Sequence, residues 1–288
     1  MCDSDNHQGF IADTSFSRRD VVLTISSVAA AAGLPTTALA ANVTETDVMV
    51  STADGTADAV LFHPARAGTW PAVLMWPDIL GLRPVFRDMG RRLAASGYTV
   101  LVPNPFYRTR RAPIVTGPFD FNDPKQVQPL LSLKATLTDA GIDKDAAAFI
   151  TFLDNQKQTN RRKGAGVQGY CFSGPFAFHT AAARSDRIRA VATFHGGGLV
   201  TKAPNSPHVL IPRTKASFLV AIARNDDQKQ PDAKDVLKAT FAAAKRPAIV
   251  EVYPADHGWC VPGSQPYDQA AAERAWTELL RLYRSTLV

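Results

Sequence analysis

Three side chains in this sequence stand where acyl transfer through a sulfur nucleophile would need them. Cys171 is the centre of Gly169-Tyr170-Cys171-Phe172-Ser173-Gly174, directly after an apolar run and directly before a helical segment. A nucleophile on such a strand-to-helix turn sits in strained backbone geometry, which needs small residues two before and two after it. Gly169 and Ser173 supply them. The turn lifts the side chain above the carboxyl edge of the strand and sets it at a helix N-terminus, whose partial positive charge favours a thiolate. An isolated cysteine is more often a packed core residue. The order strand, small-x-Cys-x-small, helix reverses that reading.

A thiol nucleophile needs a base and an acid to steady the base, each after a later strand and in the order acid, then histidine. Apolar run 217–223 ends in Arg224-Asn225-Asp226-Asp227, and run 248–253 ends in Pro254-Ala255-Asp256-His257-Gly258-Trp259. His257 is therefore the expected general base, and Asp226 or Asp227 the carboxylate behind it; spacing alone leaves both acids open. Run 71–76 leads into Asp78-Ile79-Leu80-Gly81. The backbone N–H of Ile79, with that of Phe172, is the expected oxyanion hole. Asp78 has two readings there, a hydrogen-bond partner of the resting thiol or a cap for the next helix. His195 ends a strand near the same edge and is read as structural.

These positions require a scaffold. Residues 46–64 alternate around the turn dipeptide Asp54-Gly55, which predicts a β-hairpin at a sheet edge. Unalternating apolar runs at 71–76, 98–102, 165–170, 189–194, 217–223 and 248–253 predict strands covered on both faces. Between them the spacing predicts helices from Pro84 to Gly97 and over 143–156, 174–184, 231–244 and 268–286. Segment 107–135 is poorly periodic and receives no assignment. Alternating buried strands and helices mean an α/β fold, a mostly parallel central sheet with helices on both faces. No Pro/Gly/Ser linker or repeat divides residues 41–288.

The 288 residues are 45% apolar and 20% charged, with net charge +6. Without the first forty, 30 basic and 22 acidic residues remain, but they are scattered and no aromatic-rich basic stripe accompanies them, which argues against nucleic-acid binding. Arg18-Arg19 precede a weakly apolar stretch, Val21 to Leu39, ending in Ala38-Leu39-Ala40. That pattern reads as a cleaved twin-arginine signal over 1–40, handled by the twin-arginine export machinery, with a periplasmic or secreted product and no stable membrane insertion. Cys2 leaves with it, and two remaining cysteines do not make a disulfide framework.

The chain resembles the dienelactone hydrolase family from about residue 45 to the end. The resemblance rests on Gly169–Gly174, Asp78–Gly81, Pro103-Asn104-Pro105-Phe106-Tyr107-Arg108 and His257-Gly258-Trp259. It implies an α/β-hydrolase fold, a Cys-His-Asp triad, no cofactor or metal, and a small ester or lactone substrate cleaved through an acyl-thioester. The family usually has Glu at position 78, acting on the thiol. The resemblance also places Arg108 and Trp259 in substrate binding, whereas a second carboxylate-binding arginine of the family is replaced by Val261. The competing expectation is a lapsed, ligand-binding protein on the same fold. A disulfide between Cys171 and Cys260 is a third.

Overall fold

A computed structural model of the protein describes residues 42–287, so the expected signal over 1–40 lies outside the described residues. Eight strands form one sheet in the order β1-β2-β4-β3-β5-β6-β7-β8. β1 (Val43–Thr52) and β2 (Gly55–Pro64) are the expected hairpin, turning at Asp54-Gly55, where Gly55 takes φ 138°, a value open to glycine. β1 is the sheet edge, and β2 joins β4 (Thr99–Pro103) antiparallel. From β4 onward all pairings are parallel, through β3 (Ala72–Trp76), β5 (Ala165–Tyr170), β6 (Ile188–Phe194), β7 (Ser217–Ala223) and β8 (Ala248–Tyr253). This is the α/β architecture expected from the alternating runs.

The parallel strands lack a polar face because both faces are covered. Leu74 and Trp76 of β3 point into one apolar layer with Phe149 of α3 (Asp139–Asp154), Phe178 of α4 (Gly174–Ala183) and Phe241 of α6 (Ala233–Ala243). Val73 and Met75 point into the other, with Phe86 of α1 (Pro84–Ala95) and Leu279 and Tyr283 of α7 (Gln269–Thr286). Side chains of period two thus sort one strand's residues between two cores. β8 departs from the expectation of a fully covered strand. It is the other edge, and Ile249 is exposed.

Segment 107–135 contains α2 (Pro124–Ala135), which sequence reading left unassigned. Its signal was local: Asp123 caps it by accepting from Lys125 N at 2.9 Å, and Pro124 fills the first turn, where its missing N–H is harmless. Ile114, Phe119, Phe121, Val127 and Leu130 carry this segment into the apolar layer that also holds Cys171. A second unexpected helix, α5 (Arg224–Lys229), follows β7 without a loop.

Strand β5 ends in the turn that matters most. A Cβ on Gly169 would lie 2.2 Å from Ser173 O, a backbone atom that cannot rotate away. Gly169→Ala is therefore expected to cost about 3 kcal/mol or more of stability, measured by urea unfolding. A loss below about 0.5 kcal/mol would mean the turn is looser than described.

Candidate active site

Cys171 sits at φ 57°, the left-handed region that non-glycine residues rarely adopt. The conformation is held from several sides. Tyr170 N donates to Ser173 Oγ at 2.9 Å, and that hydroxyl reaches Trp76 O (3.1 Å) and Tyr170 O (2.9 Å). Gly174 abuts Gly196, where an added Cβ would meet Gly196 Cα at 2.7 Å. A 3-10 turn over Cys171–Ser173 leads straight into α4. The amides at its start are those that a helical turn leaves unpaired.

His257 Nε2 lies 3.2 Å from Cys171 Sγ, and its Nδ1 lies 2.7 Å from Asp226 Oδ2. The thiol is buried and His257 nearly so, while Asp226 keeps a little contact with solvent. Of the two open acids, Asp226 is the one brought to the histidine. Asp227 instead takes Lys234 Nζ at 2.8 Å. Both stand on α5, where successive side chains point about 100° apart, so only one faces the histidine.

Two residues without an assigned role complete this corner. Asn225 Oδ1 accepts from His257 N at 2.9 Å and ties the histidine loop to α5. Nothing in the sequence marked it beyond its place before Asp226. The His195 ring lies edge-on to the His257 ring at 4.8 Å, and its Nδ1 is 3.5 Å from Cys260 Sγ. His195, at φ 42°, is fully buried.

Four expectations need correction or refinement. Asp78 is buried, but its two oxygens hold Arg83 (2.5 and 2.9 Å) and one also accepts from Leu80 N at 3.0 Å. A carboxylate engaged bidentately by a buried guanidinium is matched in charge and geometry, and His257 is beside the thiol. Arg108 does not turn toward β5. Its guanidinium grips Asp145 (2.7 and 2.8 Å) and Asp54 (2.8 Å) in the β1–β2 turn, on the far side of β4 from Cys171. Burial pushes the Asp145 carboxyl up despite Arg108 beside it; burial works to lower Arg108, but its hydrogen bonds to Asp145 and Asp54 outweigh that and raise it, so it keeps its charge. Trp259 offers no face to a ligand. It is fully buried, stacked on Tyr253 at 4.6 Å in the α1/α7 core. Cys260 shares that core, whereas Cys171 belongs to the opposite one, and the contact route between the sulfurs passes through His195 and His257. Both thiols are free in this structure, and the alternative of a disulfide between them is not formed.

Trp76 of β3 is in register with Gly169 of β5, so Ile79 and Phe172 each stand three residues beyond a paired position on adjacent strands. Phe106 stacks on Phe172 at 5.7 Å and 5°, which helps seal the thiol from water. Two grooves flank the edge, one of about 250 Å³ reaching Phe172 and one of about 260 Å³ reaching Asp226. Gly197 and Gly198 line both. Among the described residues no cluster of three metal-ligating side chains occurs, and no helix is long and apolar enough to cross a membrane.

Comparison with known proteins agrees with this architecture. Residues 57–287 match the model of the dienelactone hydrolase family. Carboxymethylenebutenolidase of Rhodococcus opacus is 25% identical over 231 residues, covering 79% of this chain and 86% of that protein. Carboxymethylenebutenolidase 1 of Cupriavidus pinatubonensis is 26% identical over 213 residues, 74% of this chain and 85% of that one. Among solved structures, a dienelactone hydrolase-like promiscuous phosphotriesterase from metagenomic libraries superposes with TM-score 0.69 at 21% identity, over 86% of this chain and all of that one, a likeness of fold. With a family match across nearly the whole described region and relatives of the same type, the chain belongs to the dienelactone hydrolase family.

Proposed function

We propose that this hydrolase cleaves a small carboxylic ester or lactone through a Cys171-His257-Asp226 triad and an acyl-thioester intermediate. One observation carries the reading: a sulfur 3.2 Å from an imidazole whose other nitrogen lies 2.7 Å from a carboxylate. His257 takes the thiol proton as Cys171 Sγ attacks the carbonyl carbon. The carbonyl electrons move to oxygen, where the Phe172 and Ile79 amides receive the charge. On collapse the C–O bond breaks, and His257 returns its proton to the leaving alkoxide; in a lactone that hydroxyl stays attached to the acyl group. Water, deprotonated by His257, then opens the thioester, releasing the acid and restoring the thiol. Asp226 steadies the imidazole tautomer and its charged form throughout.

Because Arg108 is engaged by Asp145 and Asp54, this reading gives it no role in holding a substrate carboxylate. Carboxymethylenebutenolidases are similar to this chain along most of its length, which supports an ester or lactone class. The first forty residues carry a further proposal, a twin-arginine signal that delivers the enzyme to the periplasm or medium. The paired Arg18-Arg19, the short apolar stretch and Ala38-Leu39-Ala40 support it. Replacing both arginines by lysine is expected to keep the product in the cytosolic fraction, as read by fractionation and immunoblot. Unchanged export would remove this part of the reading.

Activity on a panel of activated esters and lactones is expected to fall to background in Cys171→Ala and His257→Ala. Asp226→Asn is expected to lose roughly 10²- to 10⁴-fold in kcat, whereas Asp227→Asn stays within about twofold. Wild-type turnover no faster than that of Cys171→Ala would leave a ligand-binding protein instead. Native Cys171 is also expected to alkylate with iodoacetamide at about pH 6 faster than in His257→Ala, by mass spectrometry. For Asp78, truncation leaves a buried guanidinium unmatched. Asp78→Ala should lose about 3–5 kcal/mol in urea unfolding, and the double variant Asp78→Ala/Arg83→Leu should recover much of it. Equal instability of single and double variants would mean that Asp78 acts through something other than Arg83.

A further inference from the structure

A cavity of about 160 Å³ lies on the opposite face of the sheet from Cys171, between α1 and α7. Tyr170, Phe194, Cys260 and Leu279 form its floor, and Met89 and Ala275 its walls; all six are buried. It opens to solvent at its rim, but its lining is mostly apolar, the kind of concave surface from which a small apolar molecule displaces water. The charged residues at the rim are already engaged. Arg92 lies over the Trp276 ring at 4.2 Å and binds Glu273 at 2.7 Å, and Asp88 is paired with Arg91. Burial pushes the Cys260 thiol up, so it stays neutral. The lining therefore suits an uncharged apolar molecule of about the size of a single ring.

The floor is joined to the reacting groups in two ways. Tyr170 and Phe194, stacked at 5.0 Å, immediately precede Cys171 and His195, two of the three non-glycine residues held at positive φ among the described residues. Cys260 reaches His195 Nδ1 at 3.5 Å, and His195 lies edge-on to His257 at 4.8 Å. A molecule held against Tyr170, Phe194 and Cys260 contacts the residues just before both backbone turns and the thiol that reaches the imidazole pair. A ligand that favours one arrangement of these contacts must shift the other site by the same coupling free energy.

We propose that this cavity is a second ligand site, for a small neutral aromatic or short alkyl molecule, and that its occupancy changes the reactivity of the Cys171 thiol. The proposal rests on the Cys171–His257 reading for its second half, but its test does not need a substrate. The full chain is titrated with toluene, binding is followed by saturation-transfer NMR, and Cys171 alkylation by iodoacetamide is timed by mass spectrometry. Saturable toluene binding is expected, with the alkylation rate at Cys171 changed about fivefold or more at saturation. Ala275→Leu, which fills the cavity from α7, should remove both effects; Ala272→Val, on the same wall, serves if that variant does not fold. Absence of saturable binding, binding that survives both fillings, or a saturated cavity with an unchanged alkylation rate would each overturn the proposal. Failure to hydrolyse any ester would count against the proposed function and would leave all of these readouts in place.

Discussion

The left-handed backbone at Cys171 is the constraint on which the rest of this structure depends. A non-glycine residue there costs roughly 1 kcal/mol or more, so it persists only when its surroundings over-determine it. They do so with short pieces of sequence. Gly169 lets the strand pass against Ser173 O, Ser173 ties the turn to Tyr170 and to Trp76 of the next strand, and Gly174 lets α4 start against Gly196. A bulkier residue at any of these points would push the sulfur away from His257. The strain is local, but its restraints come from three neighbouring strands.

Those strands are held in place by two apolar layers that share one sheet. Because side chains alternate, Tyr170 enters the layer under α1 and α7 while Cys171 enters the layer under α3 and α4. Cys171 and the residue before it thus answer to different cores. That arrangement supports the thiol from both apolar layers. His195 and Cys260 extend the same connection through side chains, from the rear layer to the ring of His257.

Charge is distributed by competition rather than by residue type. Three cations are each matched by at least one carboxylate. Arg83 took Asp78, Arg108 took Asp145 and Asp54, and Lys234 took Asp227. Asp226 was left for the imidazole. Buried and half-buried ions must be matched, because an unmatched one costs several kcal/mol. The pairings leave Asp226, not Asp227, beside the histidine.

Much of this protein is legible along the chain. The period of the apolar runs fixes strand from helix, the Asp54-Gly55 turn marks the hairpin, and Gly-x-Cys-x-Ser after a buried run marks the strand-to-helix turn at Cys171, because each depends on neighbours within a few residues. Capped helix α2 was equally local, in Asp123-Pro124, but its weak periodicity hid it. What the tertiary structure alone decided are the contacts between distant segments: Asp226 over Asp227, Asp78 with Arg83, Arg108 turned to the hairpin, Trp259 sunk in a core, and His195 set between Cys260 and His257. Linear spacing places a residue at the right edge of the sheet. The direction of its side chain, and which opposite charge reaches it first, depend on packing that only the folded chain contains.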